Sequence, residues 1–336
     1  MSKMQERNLD LKLPKKKIVS IVGTGVIGAG WAARFLANGY TVKAYDPNKQ
    51  SLDQLKINVK TAFKSLRKVG LNKNASLLNL KTYTNLSKAL EKTTFIQESA
   101  PENEKIKKEI LKKIDVLVDK NVVIASSSSG LLPSNIQIKC KYPERILIGH
   151  PFNPVYLLPL VEVVGGKKTK PKFLKIAKIF YENVGMKPLM VKKEIEGYIS
   201  DRLQEALWRE SLHIIKDGIA NTQEIDDAIV YGPGLRWSFM GVCLTFHLAG
   251  GEMGMKHMLE QFGPALKLPW TKLKAPTLSP KLKRLMISGT KKQASKFSIK
   301  DLEEQRDLFL IEIMKTLNKN QNSRFPNWEK EFNKFK

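Results

Sequence analysis

Three glycines near the start of the chain lie in the order Gly23-Thr24-Gly25-Val26-Ile27-Gly28. The β-branched run before them, residues 17–22, predicts a strand, and the small residues at about 27–38 predict a helix. In this setting the first glycine permits a tight turn, the second lets a phosphate approach the backbone, and the third lets the helix pack closely on the sheet. The unit therefore predicts an α/β sheet that binds a dinucleotide at the loop.

An acidic residue, Asp46, ends the next predicted strand and lies 18 residues after Gly28. Its carboxylate can accept hydrogen bonds from the ribose hydroxyls and repels a 2′-phosphate, so it favours NAD over NADP. The helix after the loop offers N–H groups and a positive dipole end to the phosphates. The predicted cofactor-binding residues are Gly23, Thr24, Gly25, Val26, Ile27, Gly28 and Asp46.

The rest of the first half alternates strands with helices. Further strands are predicted at 41–46, 94–98, 122–125, 145–150, 160–164 and 187–191, and helices at about 51–69, 102–118 and 172–184. This alternation predicts a doubly wound parallel sheet of Rossmann type.

After Glu196 the pattern is helical, with predicted helices at 197–216, 224–230, 240–248 and 252–262, and with Thr222 as the N-cap of the second. We expect four segments: a basic arm (1–16), an NAD-binding domain (17–194), an all-helical domain (195–315) and a lysine-rich tail (316–336).

Composition narrows the class of protein. No apolar stretch is long enough for a membrane span, and residues 1–16 lack the apolar core of a signal peptide. The two cysteines, Cys140 and Cys243, have no metal-ligand spacing, so we expect no metal and a reduced, cytoplasmic protein. The net charge of +26 raises the possibility of nucleic-acid binding, but the lysines are spread over most predicted helices, which favours a solvated surface.

One of the four histidines lies where a catalytic residue is expected. His150 ends a predicted strand, at the edge where parallel sheets place their ligands, and is followed by Pro151-Phe152-Asn153-Pro154. Glu162 lies within the apolar run 160–164, where a buried carboxylate requires a partner. A Glu162–His150 pair would orient the imidazole as a general base, whereas an edge strand would leave Glu162 in solvent. Hydroxyls in Ser126-Ser127-Ser128-Ser129 follow another strand at the same edge and can reach a substrate oxygen or the nicotinamide.

The chain resembles the 3-hydroxyacyl-CoA dehydrogenase superfamily over residues 17–265. The matching motifs, besides the glycine loop, are Ser126-Ser127-Ser128-Ser129-Gly130-Leu131, Gly149-His150-Pro151-Phe152-Asn153-Pro154, Leu160-Val161-Glu162-Val163-Val164 and Gly197-Tyr198-Ile199-Ser200-Asp201-Arg202-Leu203. The resemblance implies a catalytic histidine at His150, its paired glutamate at Glu162, a substrate-contacting serine at Ser129 and a substrate-positioning asparagine at Asn153. It also implies NAD, a fold like that of 6-phosphogluconate dehydrogenase and a homodimer formed through the helical domain.

One position departs from the superfamily pattern, which usually has asparagine where this chain has Asp201. A carboxylate cannot donate a hydrogen bond there, but it can pair with Arg202, favour the protonated form of His150 or face a cationic substrate. The departure puts an acyl-CoA substrate in doubt.

Segments at 23–34, 201–210, 234–241 and 268–273 are most similar to superfamily members that oxidise L-carnitine to 3-dehydrocarnitine. Aromatic faces hold quaternary ammonium groups, so Trp237 and Phe239, with Asp201, are candidates for the trimethylammonium group, and Arg236 for the substrate carboxylate. Ordinary core packing is the alternative for each aromatic residue, and a surface or structural role is the alternative for Arg236. L-gulonate 3-dehydrogenases share part of the 234–241 segment and are the alternative, with short-chain 3-hydroxyacyl-CoA dehydrogenases. A non-catalytic dinucleotide-binding protein or a basic nucleic-acid-binding protein is the rival class.

Overall fold

The computed structural model describes residues 17–238, 240–264, 268–272, 274, 277, 279–294 and 296–319. The chain forms two compact units that divide between Ile199 and Ser200. The first unit holds the predicted sheet, and every regular element assigned in the described part of the second unit is a helix.

The first unit has eight strands and six α-helices in the described part of the chain. The strands are β1 (Ile18–Val22), β2 (Thr41–Tyr45), β3 (Leu80–Tyr83), β4 (Phe95–Glu98), β5 (Val123–Ser126), β6 (Ile146–Pro151), β7 (Leu160–Gly165) and β8 (Lys187–Val191). The helices are α1 (Val26–Ala37), α2 (Lys49–Val69), α3 (Leu86–Leu90), α4 (Glu104–Leu117), α5 (Pro133–Ile136) and α6 (Pro171–Asn183). Seven of the eight strands were predicted, and β3 was missed because it is short and only partly buried.

All eight strands form one sheet in the order β3-β2-β1-β4-β5-β6-β7-β8. Neighbours pair in parallel except for β6 and β7, which are antiparallel. The doubly wound sheet is confirmed and is mostly parallel, and the β6–β7 pair is the exception to the parallel pairing that the alternation predicted. The connection from Pro151 to Leu160 is too short for a crossover, so the chain reverses direction instead.

The core of this unit lies on both faces of the central strands. Four strands (β1, β4, β5 and β6) are almost wholly buried, as expected for strands covered by helices on both sides. Helix α1 is buried from Gly28 to its end and includes the fully buried Arg34. The Arg34 guanidinium donates to the carbonyls of Val155, Tyr156 and Gly185, and burial lowers its pKa to about 9. Arg34 therefore ties α1 to the connection between β6 and β7.

The second unit consists of helices α7 (Ser200–Lys216), α8 (Thr222–Val230), α9 (Pro233–Trp237), α10 (Val242–Ala249), α11 (Met255–Phe262), α12 (Pro280–Ala294) and α13 (Ile299–Lys319). The predicted N-cap of α8 was wrong by one residue. Asn221, not Thr222, accepts from the backbone N–H of Glu224, whose side chain accepts from Asn221 N in return. Helix α9 and the two last helices were not predicted. Among the described residues, no helix is long and apolar enough to cross a membrane.

Candidate active site

The predicted site residues of the first unit lie at the carboxyl edge of the sheet. β1, β2, β5 and β6 run in the same direction, and each ends at this edge. Gly23 follows β1, Asp46 follows β2, Ser127 follows β5, and His150 is near the end of β6. The topology therefore brings the cofactor motif and the candidate base to one side of the sheet.

The glycine loop has the geometry expected of a dinucleotide-binding turn. Gly23 has φ +95°, and a Cβ atom there would lie 2.5 Å from the carbonyl oxygen of Ser99. A Cβ at Gly28 would lie 2.1 Å from the carbonyl oxygen of Gly23, so the helix could not pack as it does. At Gly25 a Cβ would meet no atom within 4 Å, and this residue is the N-cap of α1 but supplies no side-chain cap. Open space beside uncapped helix amides fits a pyrophosphate.

Asp46 is held against this loop. Its Oδ2 atom accepts from Thr24 N at 3.2 Å and Thr24 Oγ1 at 3.0 Å, and its Oδ1 atom accepts from Asn48 N at 3.0 Å. The carboxylate is only half-buried, so it can also receive a ribose hydroxyl. The loop and Asp46 together fit NAD.

His150 and Glu162 face each other across the antiparallel pair. The two residues are register partners on β6 and β7, and His150 Nδ1 lies 2.9 Å from Glu162 Oε2. Both are buried, with Glu162 fully so, and the exposed edge-strand alternative for Glu162 was wrong. The carboxylate would be costly to bury alone, and the imidazole N–H satisfies one of its oxygens.

The other carboxylate oxygen of Glu162 also has a donor. Ile199 N donates to Glu162 Oε1 at 2.9 Å. Hydrogen bonds from an amide and an imidazole both favour the ionised carboxylate. Since an ionised carboxylate only accepts hydrogen bonds, His150 donates to it through Nδ1. The basic lone pair of the neutral imidazole is then on Nε2.

The serine loop is held by acidic residues that sequence analysis did not single out. Glu98, at the end of β4, is fully buried, accepts from the hydroxyl of Ser126, and pairs with the buried Lys107 at 2.9 Å. Glu102 accepts from the Ser128 hydroxyl and from the backbone N–H of Ser129 at 3.1 Å. The argument that identified Glu162, a carboxylate inside an apolar run, did not reach Glu98, because Glu98 ends its strand and follows the polar Gln97.

A second buried network lies beneath the site. Gln97 Nε2 donates to Ser127 Oγ at 2.8 Å and to the carbonyl oxygen of Gly149 at 3.1 Å, while Tyr181 donates its hydroxyl to Gln97 Oε1 at 2.7 Å. Gln97 therefore links the serine loop to the residue before His150.

The remaining predicted residues of the first unit are at the surface. Ser129 and Asn153 are both exposed, on the loops that follow β5 and β6. Because both side chains are accessible, they can contact a substrate. The backbone N–H of Ser129 is held by its hydrogen bond to the Glu102 carboxylate.

The predicted substrate residues beyond residue 199 belong to the second unit. Asp201 lies half-buried in the first turn of α7, where a carboxylate is favoured by the helix dipole. Arg236 is exposed and Trp237 is half-buried at the end of α9. Phe239 lies outside the described residues.

Comparison with known proteins identifies the family. Residues 18–195 match the profile of the 3-hydroxyacyl-CoA dehydrogenase NAD-binding domain, and residues 197–292 match that of the C-terminal domain. An L-carnitine dehydrogenase of Bacillus cereus is 52% identical over 303 residues, which is 90% of this chain and 93% of that protein. A Pseudomonas putida L-carnitine dehydrogenase is 50% identical over 90% of this chain and 94% of its own length.

Solved structures support the fold. A 5-formyl-3-hydroxy-2-methylpyridine 4-carboxylic acid 5-dehydrogenase superposes with a TM-score of 0.74 at 24% identity, covering 90% of this chain and 98% of that chain. The 3-hydroxybutyryl-CoA dehydrogenase of Escherichia coli gives a TM-score of 0.63 at 22% identity, covering 84% of this chain and 59% of that chain. With both domain profiles in order along one chain and a dinucleotide loop that fits NAD, the chain belongs to the 3-hydroxyacyl-CoA dehydrogenase family and is an NAD-dependent oxidoreductase acting on a CH–OH group.

Proposed function

We propose that the protein oxidises the 3-hydroxyl of L-carnitine to 3-dehydrocarnitine, with His150 as the general base and Glu162 as the residue that orients it. The observation that carries the catalytic part is the buried 2.9 Å contact between His150 Nδ1 and Glu162 Oε2 at the carboxyl edge of the sheet. The substrate rests on the L-carnitine dehydrogenases that are about half identical to nearly the whole chain.

In the proposed reaction His150 Nε2 takes the proton of the 3-hydroxyl as the C3–H bond breaks. NAD supplies the hydride acceptor, the C4 atom of its nicotinamide ring. Glu162 stabilises the imidazolium as it forms, because a carboxylate within hydrogen-bond distance favours the charged form. The exposed Ser129 and Asn153 position the substrate oxygen.

The proposed carnitine contacts follow from the charges of a zwitterion. The trimethylammonium group has no N–H to donate, so an aromatic face such as that of Trp237 and an anion such as Asp201 suit it, with Phe239 as a further candidate. Arg236 suits the carboxylate, since its guanidinium offers paired donors. An acyl-CoA or L-gulonate would not use an aromatic cation site, so Trp237→Ala should raise the KM for carnitine specifically.

The test is a substrate panel with purified protein and NAD, followed by NADH absorbance. It comprises L-carnitine, D-carnitine, L-gulonate, 3-hydroxybutyrate and 3-hydroxybutyryl-CoA. Turnover of L-carnitine with the highest kcat/KM supports the proposal. A higher kcat/KM for L-gulonate or for the CoA ester would identify that compound, instead of L-carnitine, as the substrate. No turnover of any compound would favour a non-catalytic dinucleotide-binding protein.

The base is tested separately by His150→Ala. Loss of a general base lowers kcat by about 10²–10⁴, while NAD binding, measured by fluorescence, should be retained. His257→Ala is the matched control, since His257 is a half-buried histidine on α11 in the second unit. Near-wild-type turnover by His150→Ala would exclude the proposed role of the pair.

We also propose a homodimer formed through the helical unit. Its helices leave large apolar side chains exposed, among them Leu203 (63%), Ile287 (67%) and Phe309 (69%). Apolar surface of this kind on a helical unit suits burial against a second copy. Light scattering after size exclusion should give twice the mass of the chain, and a monomeric mass would contradict the proposal.

A reducing compartment such as the cytoplasm is the proposed location. Cys140 and Cys243 are both free thiols, as expected where disulfides are kept reduced. Fractionation of the source cells, followed by immunodetection, tests the location.

A further inference from the structure

The turn that closes the first unit has an unusual backbone. Gly197 has φ +71° and the next residue, Tyr198, has φ +45°. Positive φ is common for glycine, but non-glycine residues rarely adopt it, and a bulky side chain does so only when the surroundings require it. Tyr198 is also fully buried. A large, buried residue in this conformation calls for an explanation from its contacts.

Those contacts reach three parts of the site. The Tyr198 ring packs beside the imidazole of His150, with ring centroids 5.5 Å apart and planes tilted by 54°. Its hydroxyl donates to the carbonyl oxygen of Leu131, in the loop that follows the serines, at 2.8 Å. The next residue along the chain, Ile199, donates its N–H to Glu162 Oε1.

We propose that Tyr198 is a positioning residue that holds the imidazole of His150, the carboxylate of Glu162 and the loop after Ser129 in one arrangement. This rests on the proposed function of His150 as the base. The ring restricts the imidazole from one side. The hydroxyl fixes the serine loop, and the positive φ turns the chain so that the Ile199 N–H points at Glu162.

Simple core packing predicts something different. A residue that only fills volume would be replaced by phenylalanine with little effect, because the ring and nearly all of the volume remain. It would also not require the left-handed backbone. The positioning role instead predicts that the hydroxyl matters for turnover, because its loss releases the loop that carries Ser129.

Two variants separate the contributions of the ring and the hydroxyl. Tyr198→Phe keeps the ring and removes the bond to Leu131, and it should lower kcat about 3- to 10-fold, the effect of one lost hydrogen bond. Tyr198→Leu removes the flat surface beside His150, and it should lower kcat on the order of 10²-fold, as expected when a reacting group is misplaced by about 1 Å. The KM for NAD should stay unchanged in both.

Tyr40→Phe is the matched control. Tyr40 is a buried tyrosine of the same unit, but it precedes β2 and so lies at the opposite edge of the sheet. Its kcat should equal that of the wild type. Thermal unfolding of each variant establishes that it is folded before turnover is compared.

A second readout does not depend on activity. The Nδ1–H of His150 is buried against Glu162, so NMR of protein with isotope-labelled histidine should show it as a slowly exchanging proton, assigned with His150→Ala among the four histidines. Tyr198→Leu should make this proton exchange faster, whereas Tyr40→Phe should not.

The outcomes decide the proposal. The proposal is overturned if Tyr198→Phe has the kcat of the wild type and if, in a folded Tyr198→Leu, the Nδ1–H proton of His150 exchanges as slowly as in the wild type. If Tyr198→Leu does not fold, wild-type kcat for Tyr198→Phe alone overturns it. If the wild-type protein oxidises none of the panel substrates, the proposed function fails, and the proton exchange of His150 still decides the positioning role.

Discussion

Replacing Glu162 by glutamine tests the dyad without changing its size. The wild-type carboxylate accepts from both His150 Nδ1 and Ile199 N. An amide has one oxygen and one NH₂ group, so the glutamine side chain cannot accept from both donors with separate oxygens. If its NH₂ group faces His150, Nδ1 must become the acceptor, and the ring proton moves to Nε2, the atom that should take the substrate proton.

The size of the expected loss of kcat in Glu162→Gln follows from the burial of the pair. At an effective dielectric constant of about 20, opposite charges about 4 Å apart attract by about 4 kcal/mol. Since Glu162 is fully buried, little of this is screened by water. The lost stabilisation of the forming imidazolium should raise the barrier by about 2–4 kcal/mol, which lowers kcat about 30- to 1,000-fold. A population with the wrong tautomer would lower it further.

The assay is initial-rate NADH formation with L-carnitine, measured for the wild type and the variant at the same pH. Glu182→Gln is the control, because Glu182 is an exposed glutamate on α6 that pairs with Lys178. If Glu162→Gln is folded and retains kcat within about twofold of the wild type, the electrostatic role of the pair is refuted.

Three further predictions concern other parts of the chain. Asp46→Ala should lower the ratio of kcat/KM for NAD to that for NADP at least about tenfold, because it removes a charge that repels a 2′-phosphate; an unchanged ratio would count against the ribose contact. Gly149→Ala would place a Cβ atom 1.8 Å from the buried Tyr181 hydroxyl. This substitution should lower the free energy of unfolding in urea by about 1–3 kcal/mol, and full stability would show that Tyr181 moves freely. Burial, with a contribution from Asp115, raises the pKa of Cys140 to about 12. At neutral pH iodoacetamide should therefore label Cys140 at least about 100-fold more slowly than the exposed Cys243, as measured by peptide mass spectrometry, and equal rates would contradict the shift.

Sequence reasoning reached the pairing of His150 with Glu162 through one physical rule. A carboxylate inside an apolar strand must be paired or exposed, and His150, on the adjacent predicted strand, was the candidate partner. The antiparallel turn between β6 and β7 was predictable too, since the connection from Pro151 to Leu160 leaves no room for a crossover helix. The parallel expectation came from the alternation of the other strands.

Other features depend on contacts that sequence patterns do not reveal. Helix α12 contains Ser288, Gly289 and Thr290 in succession, and these residues have low helix propensity. In the structure a Cβ at Gly289 would lie 2.7 Å from Thr222 Oγ1, and Leu282 packs with Leu212 and Ile215. Close tertiary packing therefore overrides weak local propensity. The positive φ of Tyr198 is likewise set by its surroundings, and no property of tyrosine predicts it.

The direct pairing of His150 with Glu162 across β6 and β7 has a consequence for how the sheet assembles. A slip of one residue between these strands would turn Glu162 to the opposite face and leave its charge buried without a partner. Breaking a buried pair by removing one partner is strongly destabilising, typically by about 3–5 kcal/mol. The wrong alignment of the hairpin is therefore penalised by the same two groups that carry the proposed chemistry, so selection for catalysis and selection for a unique strand alignment act on one pair of residues.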